Sequence, residues 1–395
     1  MSSPLDVAIN GGGPVGLTLG LALRANGFSV ALVDAESPQP STPGGRAFFV
    51  AYGCWRIWRA LGLEPKLAIH AQPVTGVEAT GEARGQGIGF HSEDCPSETA
   101  LGYMVEQNRL VPALREAALA AGVRILAPAR ATDVRVSAGR AELSAGAETL
   151  SASLVAGCDG AGSQTREAAG IRFEGWDYPA KALSATLKLA KPHEGVARQL
   201  FLRHGPLALL PLPEGRANLV WTERAAAADA LAGMTEEDFA AELRHAAGAF
   251  VGAFELAGPR HAFPVGLKVA ERFHAPRIAL AGDSAHLIHP LAGQGLNLGL
   301  KDAAALVDVV ADAARVGLDI GAEASLAPYT RWRRADVVAS ASVMEAFARA
   351  FSGPAPVRFA ASLAMQAAGA AQPLRKLFAR EAGGDLGELP TLMRA

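Results

Sequence analysis

The sequence predicts an α/β fold in two lobes with a helical tail, and three observations predict it. A strand, a glycine turn, a helix and a second strand follow one another within residues 5–34. A block of short, alternating strands fills about 176–270. The α/β pattern then returns at 277–316 and gives way to a helical end. At 395 residues the chain has room for two or three lobes around a sizeable core.

The elements follow in order. Leu5 to Asn10 is an apolar strand, Gly11-Gly12-Gly13-Pro14-Val15-Gly16 turns it into a helix that runs to Asn26, Gly27 stops the helix, and Ser29 to Asp34 forms the next strand. Trp55, Trp58 and Leu61 recur at helical spacing before Gly62, and Tyr103-Met104-Val105 leads into a helix carrying Leu110, Leu114 and Ala118. Residues 124–158 read as a small β-meander closed by the buried strand Leu154-Val155-Ala156. The second lobe carries strands at 182–189, 198–203, 207–212, 217–222 and 263–269, with one helical interruption near 235–247. A short buried strand at 277–281 precedes a helix from about Gly295 to Val316. The last sixty residues look wholly helical, with breaks at Gly353-Pro354 and Pro373. These features divide the chain into 1–175 with 271–336 as a discontinuous nucleotide-binding lobe, 176–270 as an antiparallel-sheet lobe and 337–395 as a helical segment. Residues 72–100 are assignable to either lobe.

Half of the residues are apolar, 6% are aromatic and 19% charged, with alanine carrying much of the excess, which favours helices over a β-sandwich. With 37 Lys+Arg against 39 Asp+Glu and no local basic block, the chain has no electrostatic footprint for nucleic acid. No run approaches the roughly 18 uncharged apolar residues of a membrane-spanning helix. Asp6 precedes the first apolar run, Lys and Arg are absent before Arg24, and glycines interrupt the run, which points to a cytoplasmic protein without a secretory leader. Cys54, Cys95 and Cys158 lie far apart and suit a reducing compartment as small buried hydrophobes. His286 is one of nine histidines and has no second ligand at metal spacing, so no metal site is expected.

Two motifs carry the chemistry. Gly11-x-Gly13-x-x-Gly16, between a strand and a helix, permits close backbone approach of a pyrophosphate to the positive helix end. Asp34 stands 23 residues after Gly11 at the end of the next strand, where its carboxylate can take both hydroxyls of an adenosine ribose. The second motif is Gly282-Asp283-Ser284-Ala285-His286, followed by Pro290-Leu291-Ala292-Gly293-Gln294-Gly295-Leu296-Asn297. It delivers an acid at a strand's carboxyl end, suited to a ribityl chain, and then a glycine-rich helix start suited to a reduced flavin ring. NAD has no ribityl to hold, so the pair points to FAD.

These two motifs and Cys158-Asp159-Gly160-Ala161-Gly162-Ser163-x-x-Arg166 resemble the signatures of the single-component flavoprotein aromatic hydroxylases, the para-hydroxybenzoate hydroxylase superfamily. Gly175-Trp176-Asp177-Tyr178, residues 205–212 and His289-Pro290-Leu291-Ala292-Gly293-Gln294-Gly295 resemble its ubiquinone-biosynthesis branch. The resemblance implies a Rossmann-like FAD lobe of the glutathione-reductase type with an inserted substrate lobe. It implies that Gly11, Gly13 and Gly16 hold the pyrophosphate, Asp34 the adenosine ribose, and Arg46 the phosphates and ribose. Asp159 and Arg166 match the segment associated with both FAD and NAD(P)H. Gly282 and Asp283 match the ribityl site, while Pro290, Gly293, Gly295, Leu296 and Asn297 lie along the isoalloxazine ring. Asp34 replaces the commoner Glu, and Gln107 is counted as a cofactor residue where many relatives carry Arg or Asn.

The implied activity is an FAD-dependent monooxygenase: NAD(P)H reduces the flavin, O2 adds to form a C4a-hydroperoxide, and the ring of a prenylated ubiquinone precursor is hydroxylated. Hydroxylation of another aromatic compound and a non-catalytic flavin-binding scaffold stay open as alternatives. Leu209, Leu210, Phe201 and Trp221 are candidates for an apolar substrate lining or for ordinary core. Partners left open are other ubiquinone-biosynthesis proteins and a peripheral membrane contact through 337–383, for which a helical cap on the flavin lobe is the favoured reading. Oligomeric state is not legible.

Overall fold

A computed structural model describes residues 5–37, 45–81, 87–95, 98–137, 139–288 and 293–394. β1 (Leu5–Asn10), α1 (Pro14–Ala25) and β2 (Val30–Val33) form the opening unit. β3 (Ala47–Ala51), α2 (Tyr52–Ala60), α3 (Glu64–Ala68), β4 (Ala71–Val74), β5 (Gly76–Thr80), β6 (Gly87–His91) and β7 (Gly102–Glu106) follow. Then come α4 (Gln107–Ala120), β8 (Arg124–Leu126), β9 (Ala131–Val136), β10 (Ala141–Ala145), β11 (Glu148–Gly157) and α5 (Gln164–Ala168). The next stretch holds β12 (Phe173–Leu189), β13 (Val196–Leu202), β14 (Gly205–Leu212), β15 (Arg216–Arg224), α6 (Ala225–Gly233) and α7 (Glu236–Ala247). β16 (Phe254–Leu256), β17 (His261–Ala270), β18 (His274–Ala275), β19 (Ile278–Leu280) and β20 (His286–Leu287) complete the strands. α8 (Gln294–Arg315), α9 (Glu323–Ser352), α10 (Ala355–Ala370) and α11 (Gln372–Ala382) complete the helices.

The first sheet runs β18-β19-β11-β1-β2-β8, with β10 and β9 hairpinned onto β11. β19, β11, β1, β2 and β8 are mutually parallel, and β1 and β2 are near-continuous apolar runs buried in the core, with α1 packed on them. α1 begins with Pro14 behind the Gly13 N-cap, where a missing N–H costs nothing. Its Leu17, Leu19 and Leu23 share a core with Ile9, Val155, Trp58 and Leu300.

The second sheet has nine strands, with central order β17-β12-β15-β14-β13, and β5 and β6 extend it beyond β13. Residues 76–91 thus contribute strands to this sheet although they precede most of the first. Leu183, Leu207, Leu209, Leu219 and Trp221 on one face pack against Phe239 and Leu243 of α7. A three-stranded sheet, β3-β7-β4, lies between the two.

Four expectations are revised. Residues 225–233 are an additional helix, the alanine run asserting its helical propensity beside a strand-rich stretch. The last break falls at Ala371, with Pro373 inside the first turn of α11, where proline is tolerated. The chain also stops being α-helical at Ala382, with one 3-10 turn at Thr391–Met393 beyond it. Residues 383–394 then fold back, burying Met393 and placing its carbonyl 3.4 Å from Arg56 Nη1. The helical segment does not cap the flavin lobe alone: α9 starts along α8, and α10 and α11 cover β6 of the second sheet. Among the described residues no helix is long and apolar enough to cross a membrane.

Candidate active site

The parallel strands of the first sheet end at one cavity. Asn10 closes β1, Asp34 follows β2, Cys158 and Asp159 follow β11, and Ala281 to Asp283 follow β19; all line it. Its volume of about 1450 Å³ exceeds the roughly 300–1,000 Å³ of a single small-molecule site and extends to the second sheet. A dinucleotide and a second molecule fit that extent.

The glycine turn shapes one end. A Cβ on Gly11 would sit 2.2 Å from the Cys158 carbonyl oxygen, and one on Gly16 would sit 2.0 Å from the Gly11 carbonyl oxygen. Only glycine lets α1 approach the strand ends this closely. At Gly13 no described residue other than its chain neighbours lies within 4 Å of the Cβ position, and Gly13 lines the cavity. α1 has no side-chain N-cap, and neither does α8, whose N-cap Gly293 has φ of 66°. Two helix starts without a side-chain cap among the described residues therefore open on the same cavity.

Asp34, at the end of β2, is ion-paired with Arg115 of α4. Gln107, Val111, Arg115 and Leu119 recur every fourth residue of α4, and that face lines the cavity. Arg46 lies 4.9 Å from the Phe48 ring centroid and 6.0 Å from that of Phe263. Asp283 lines the cavity with no hydrogen bond among the described residues, as expected of a carboxylate shaped for a ligand.

Buried machinery behind the wall holds Asp283 in place. Asp302 accepts from Gly282 N at 3.0 Å, His286 Nε2 at 2.6 Å and Arg333 Nε at 2.7 Å, with His286, Asp302 and Arg333 fully buried. Burial pushes the Asp302 carboxyl up, but His286 and Arg333 outweigh it and hold it below the usual carboxylate range. Arg333 Nη1 also donates to Asp336 Oδ2 at 2.5 Å. The turn carrying Asp283 is thereby tied to α8 and α9.

Of the residues singled out in the sequence, Gly11, Gly13, Asp34, Arg46, Gln107, Asp159, Gly282, Asp283, Gly293, Gly295 and Leu296 line the cavity. Gly16, Arg166 and Asn297 do not. Gly16 serves the turn's close packing. Arg166 donates to the Ser284 carbonyl at 3.0 Å and the Ala161 carbonyl at 2.9 Å, joining the two strand-end loops, and burial lowers its pKa. Asn297 accepts from Ala51 N at 2.9 Å and donates to the Phe49 carbonyl at 3.0 Å, fixing α8 to β3. Asp159 reaches the wall, yet its carboxylate is already taken by Asn10, Ser163 and Thr165. Pro290 lies outside the described residues. Burial pushes the Cys54 thiol up to about 12 and the Cys158 thiol higher still, so both stay protonated. Among the described residues no group of three His, Cys, Asp or Glu gathers for a metal.

The second sheet forms the other end. Alternation turns Ala208, Leu210, Asn218, Val220 and Thr222 to the cavity. Of the four apolar candidates, only Leu210 lines the cavity, whereas Leu209 and Trp221 face α7 and Phe201 stacks on Phe351 at 3.9 Å. Arg115, Ser184 and Asn218 were not anticipated. The four-residue repeat from Gln107 was the legible signal for Arg115, while nothing in the sequence marks Asn218.

Residues 4–343 match the family described as FAD binding domain. The chain is 39% identical to "Ubiquinone hydroxylase UbiL" of Rhodospirillum rubrum, over 98% of this chain and 92% of that protein. It is 33% identical to "3-demethoxyubiquinol 3-hydroxylase" of Escherichia coli, over 95% of this chain and 97% of that protein. Its fold is similar to that of the p-nitrophenol 4-monooxygenase PnpA from Pseudomonas putida, with a TM-score of 0.82 at 20% identity over 98% of this chain and all of that one.

Proposed function

This chain belongs to the FAD-binding-domain family, and on that premise we propose that it is an NAD(P)H- and O2-dependent flavin monooxygenase that hydroxylates the ring of a prenylated ubiquinone precursor. The observation that carries the reading is one cavity running from the glycine turn to the mostly uncharged floor of the second sheet. The α1 start at Gly13 receives the pyrophosphate, Asp34 with Arg115 the adenosine ribose, and Asp283 the ribityl hydroxyls. The α8 start at Gly293 faces the ring. When bound, FAD supplies the hydride acceptor and the oxygen-activating centre.

The chain's own task is positioning and water exclusion. The lobe built on the first sheet, residues 1–175 with 271–336, holds the cofactor, and the nine-stranded sheet presents the aromatic ring to it. Arg166 and Asn297 brace the wall, and the network at Asp302 fixes Asp283. Leu210, Val220, Phe263 and Val265 give the second molecule an apolar surface, where burial of each prenyl methylene contributes about 0.8 kcal/mol.

The test is turnover by the purified yellow protein with NAD(P)H and O2, comparing a prenylated phenol with a soluble phenol and detecting product one oxygen atom heavier. Preference for the prenylated phenol supports the assignment. Preference for the soluble one moves the substrate elsewhere in the family, and a flavin never reduced with either present refutes the enzyme.

A lipid-tailed substrate also calls for a membrane partner, and α10 offers the surface. Its outer face presents Val357, Phe359 and Leu363, the Phe359 side chain 56% exposed, where a solvated helix would be polar. Residues 346–380 hold five cations, Arg349, Arg358, Arg375, Lys376 and Arg380, and no carboxylate. Arg349, Arg375 and Arg380 pair with Glu345, Asp94 and Asp385 from outside that window. The helix's inner face packs on β6, whose Phe90 lines the cavity. Co-sedimentation with anionic vesicles, lost in Phe359→Glu/Leu363→Glu, supports this contact; equal sedimentation of the variant refutes it.

A further inference from the structure

Asn218 sits in the middle of the second sheet, opposite Thr186 across the β12–β15 ladder, and is 1% exposed. Its neighbours Leu219 and Trp221 point to the α7 side, so Asn218 points to the cavity, which it lines. Its Nδ2 donates to Ser184 Oγ at 3.1 Å and to the Ala185 carbonyl at 3.4 Å. A carbonyl only accepts, so this contact fixes which end of the amide faces it. The Oδ1 has no hydrogen bond among the described residues, and the Ser184 O–H likewise has no acceptor there. The residues flanking them on β14 and β15, Ala208, Leu210, Val220 and Thr222, carry no charge, while Arg198 and His261 of the same sheet and Arg46 line the cavity elsewhere.

A nearly buried acceptor held beside a hydroxyl, with uncharged residues as its immediate neighbours on β14 and β15, is matched by a neutral ring bearing an O–H. A carboxylate would bring a charge and no donor to Asn218. We propose that Asn218 and Ser184 are the specificity-determining pair for the second molecule in the cavity, reading a phenolic hydroxyl. Asn218 Oδ1 accepts a hydrogen bond from the phenol O–H, and the Ser184 O–H donates one to the phenolic oxygen. The pair selects neutral phenols over benzoates and over aryl ethers. A hydrogen bond of this kind, left unmade in a buried site, changes affinity by about five- to hundredfold. The proposal rests on the reading of the cavity as an FAD and aromatic-ring site.

The test titrates the oxidised holoprotein with a prenylated phenol, its O-methyl ether and the matching benzoate, and follows the flavin absorbance. Wild type is expected to bind the phenol at least tenfold more tightly than the ether or benzoate, and Asn218→Leu to reduce the phenol to the ether's affinity with FAD content unchanged. Ser184→Ala, a smaller change to the sheet, is expected to weaken phenol binding several-fold and stands in if Asn218→Leu fails to fold. Binding without preference in wild type, or a preference kept by the foldable variants, overturns the proposal and leaves the hydroxylase reading standing. No flavin perturbation by any probe, together with no turnover, overturns both.

Discussion

Asp302→Asn probes the buried frame behind the site. The amide keeps one acceptor oxygen, but its NH2 must face either Gly282 N–H and His286 Nε2 or the Arg333 guanidinium, placing donor against donor. Breaking a buried ion pair costs about 3–5 kcal/mol. Arg333 retains Asp336 at 2.5 Å, which puts the charge part of the loss at the low end. With the NH2 turned to Gly282 the lost backbone bond adds about 1 kcal/mol, so the total is near 3–4 kcal/mol against a typical stability of about 5–15 kcal/mol. Urea unfolding followed by tryptophan fluorescence measures this, because Trp55 and Trp58 are fully buried in the same core. FAD retention should fall in parallel, since the Gly282 turn carries Asp283. A loss below about 1 kcal/mol with unchanged FAD retention refutes the reasoning. Asp302 also sets a pH dependence. Its folded pKa is depressed, so its stabilisation is present above the unfolded value of about 3.9 and is lost as pH falls through the folded one.

Three further outcomes are expected. Gly13→Val should leave the apoprotein folded, at about 1 kcal/mol for the poorer N-cap, because no described residue other than its chain neighbours lies within 4 Å of the new Cβ, while abolishing stoichiometric FAD; a yellow, fully loaded variant counts against the pyrophosphate assignment. Asp283→Ala should keep the fold, since the carboxylate has no hydrogen bond among the described residues, and weaken FAD binding about 10- to 100-fold in a titration of apoprotein. Unchanged affinity places the ribityl site elsewhere. Burial depresses the His274 pKa, so its contribution to stability is intact above roughly pH 6.5 and lost as pH falls through the lower folded value. His274→Gln should flatten that part of the profile, and a profile identical to wild type rules the linkage out.

Much of the first lobe was legible because its signals are local. A glycine turn between strand and helix, an acid at the next strand's end and a second glycine-acid turn each declare themselves within a few residues. Gly11, Gly13, Asp34 and Asp283 accordingly line the cavity. The second lobe was legible only as strands. One face of its sheet is packed by α7 and the other lines a cavity, so both carry apolar residues and the alternation has no readable phase. That is why Leu210 lines the cavity while Leu209 and Trp221 do not.

The sequence by itself determined the cofactor lobe, its nucleotide turn and the family chemistry, because phosphate and ribityl recognition rests on short backbone geometries that only particular residues allow. Only the tertiary structure decided which side chains meet across distance. It spends Arg166 and Asn297 on bracing, converges His286, Asp302 and Arg333 behind Asp283, and turns Asn218 to the cavity. Those residues lie tens to hundreds of positions apart, and their roles come from the burial and partners that packing supplies.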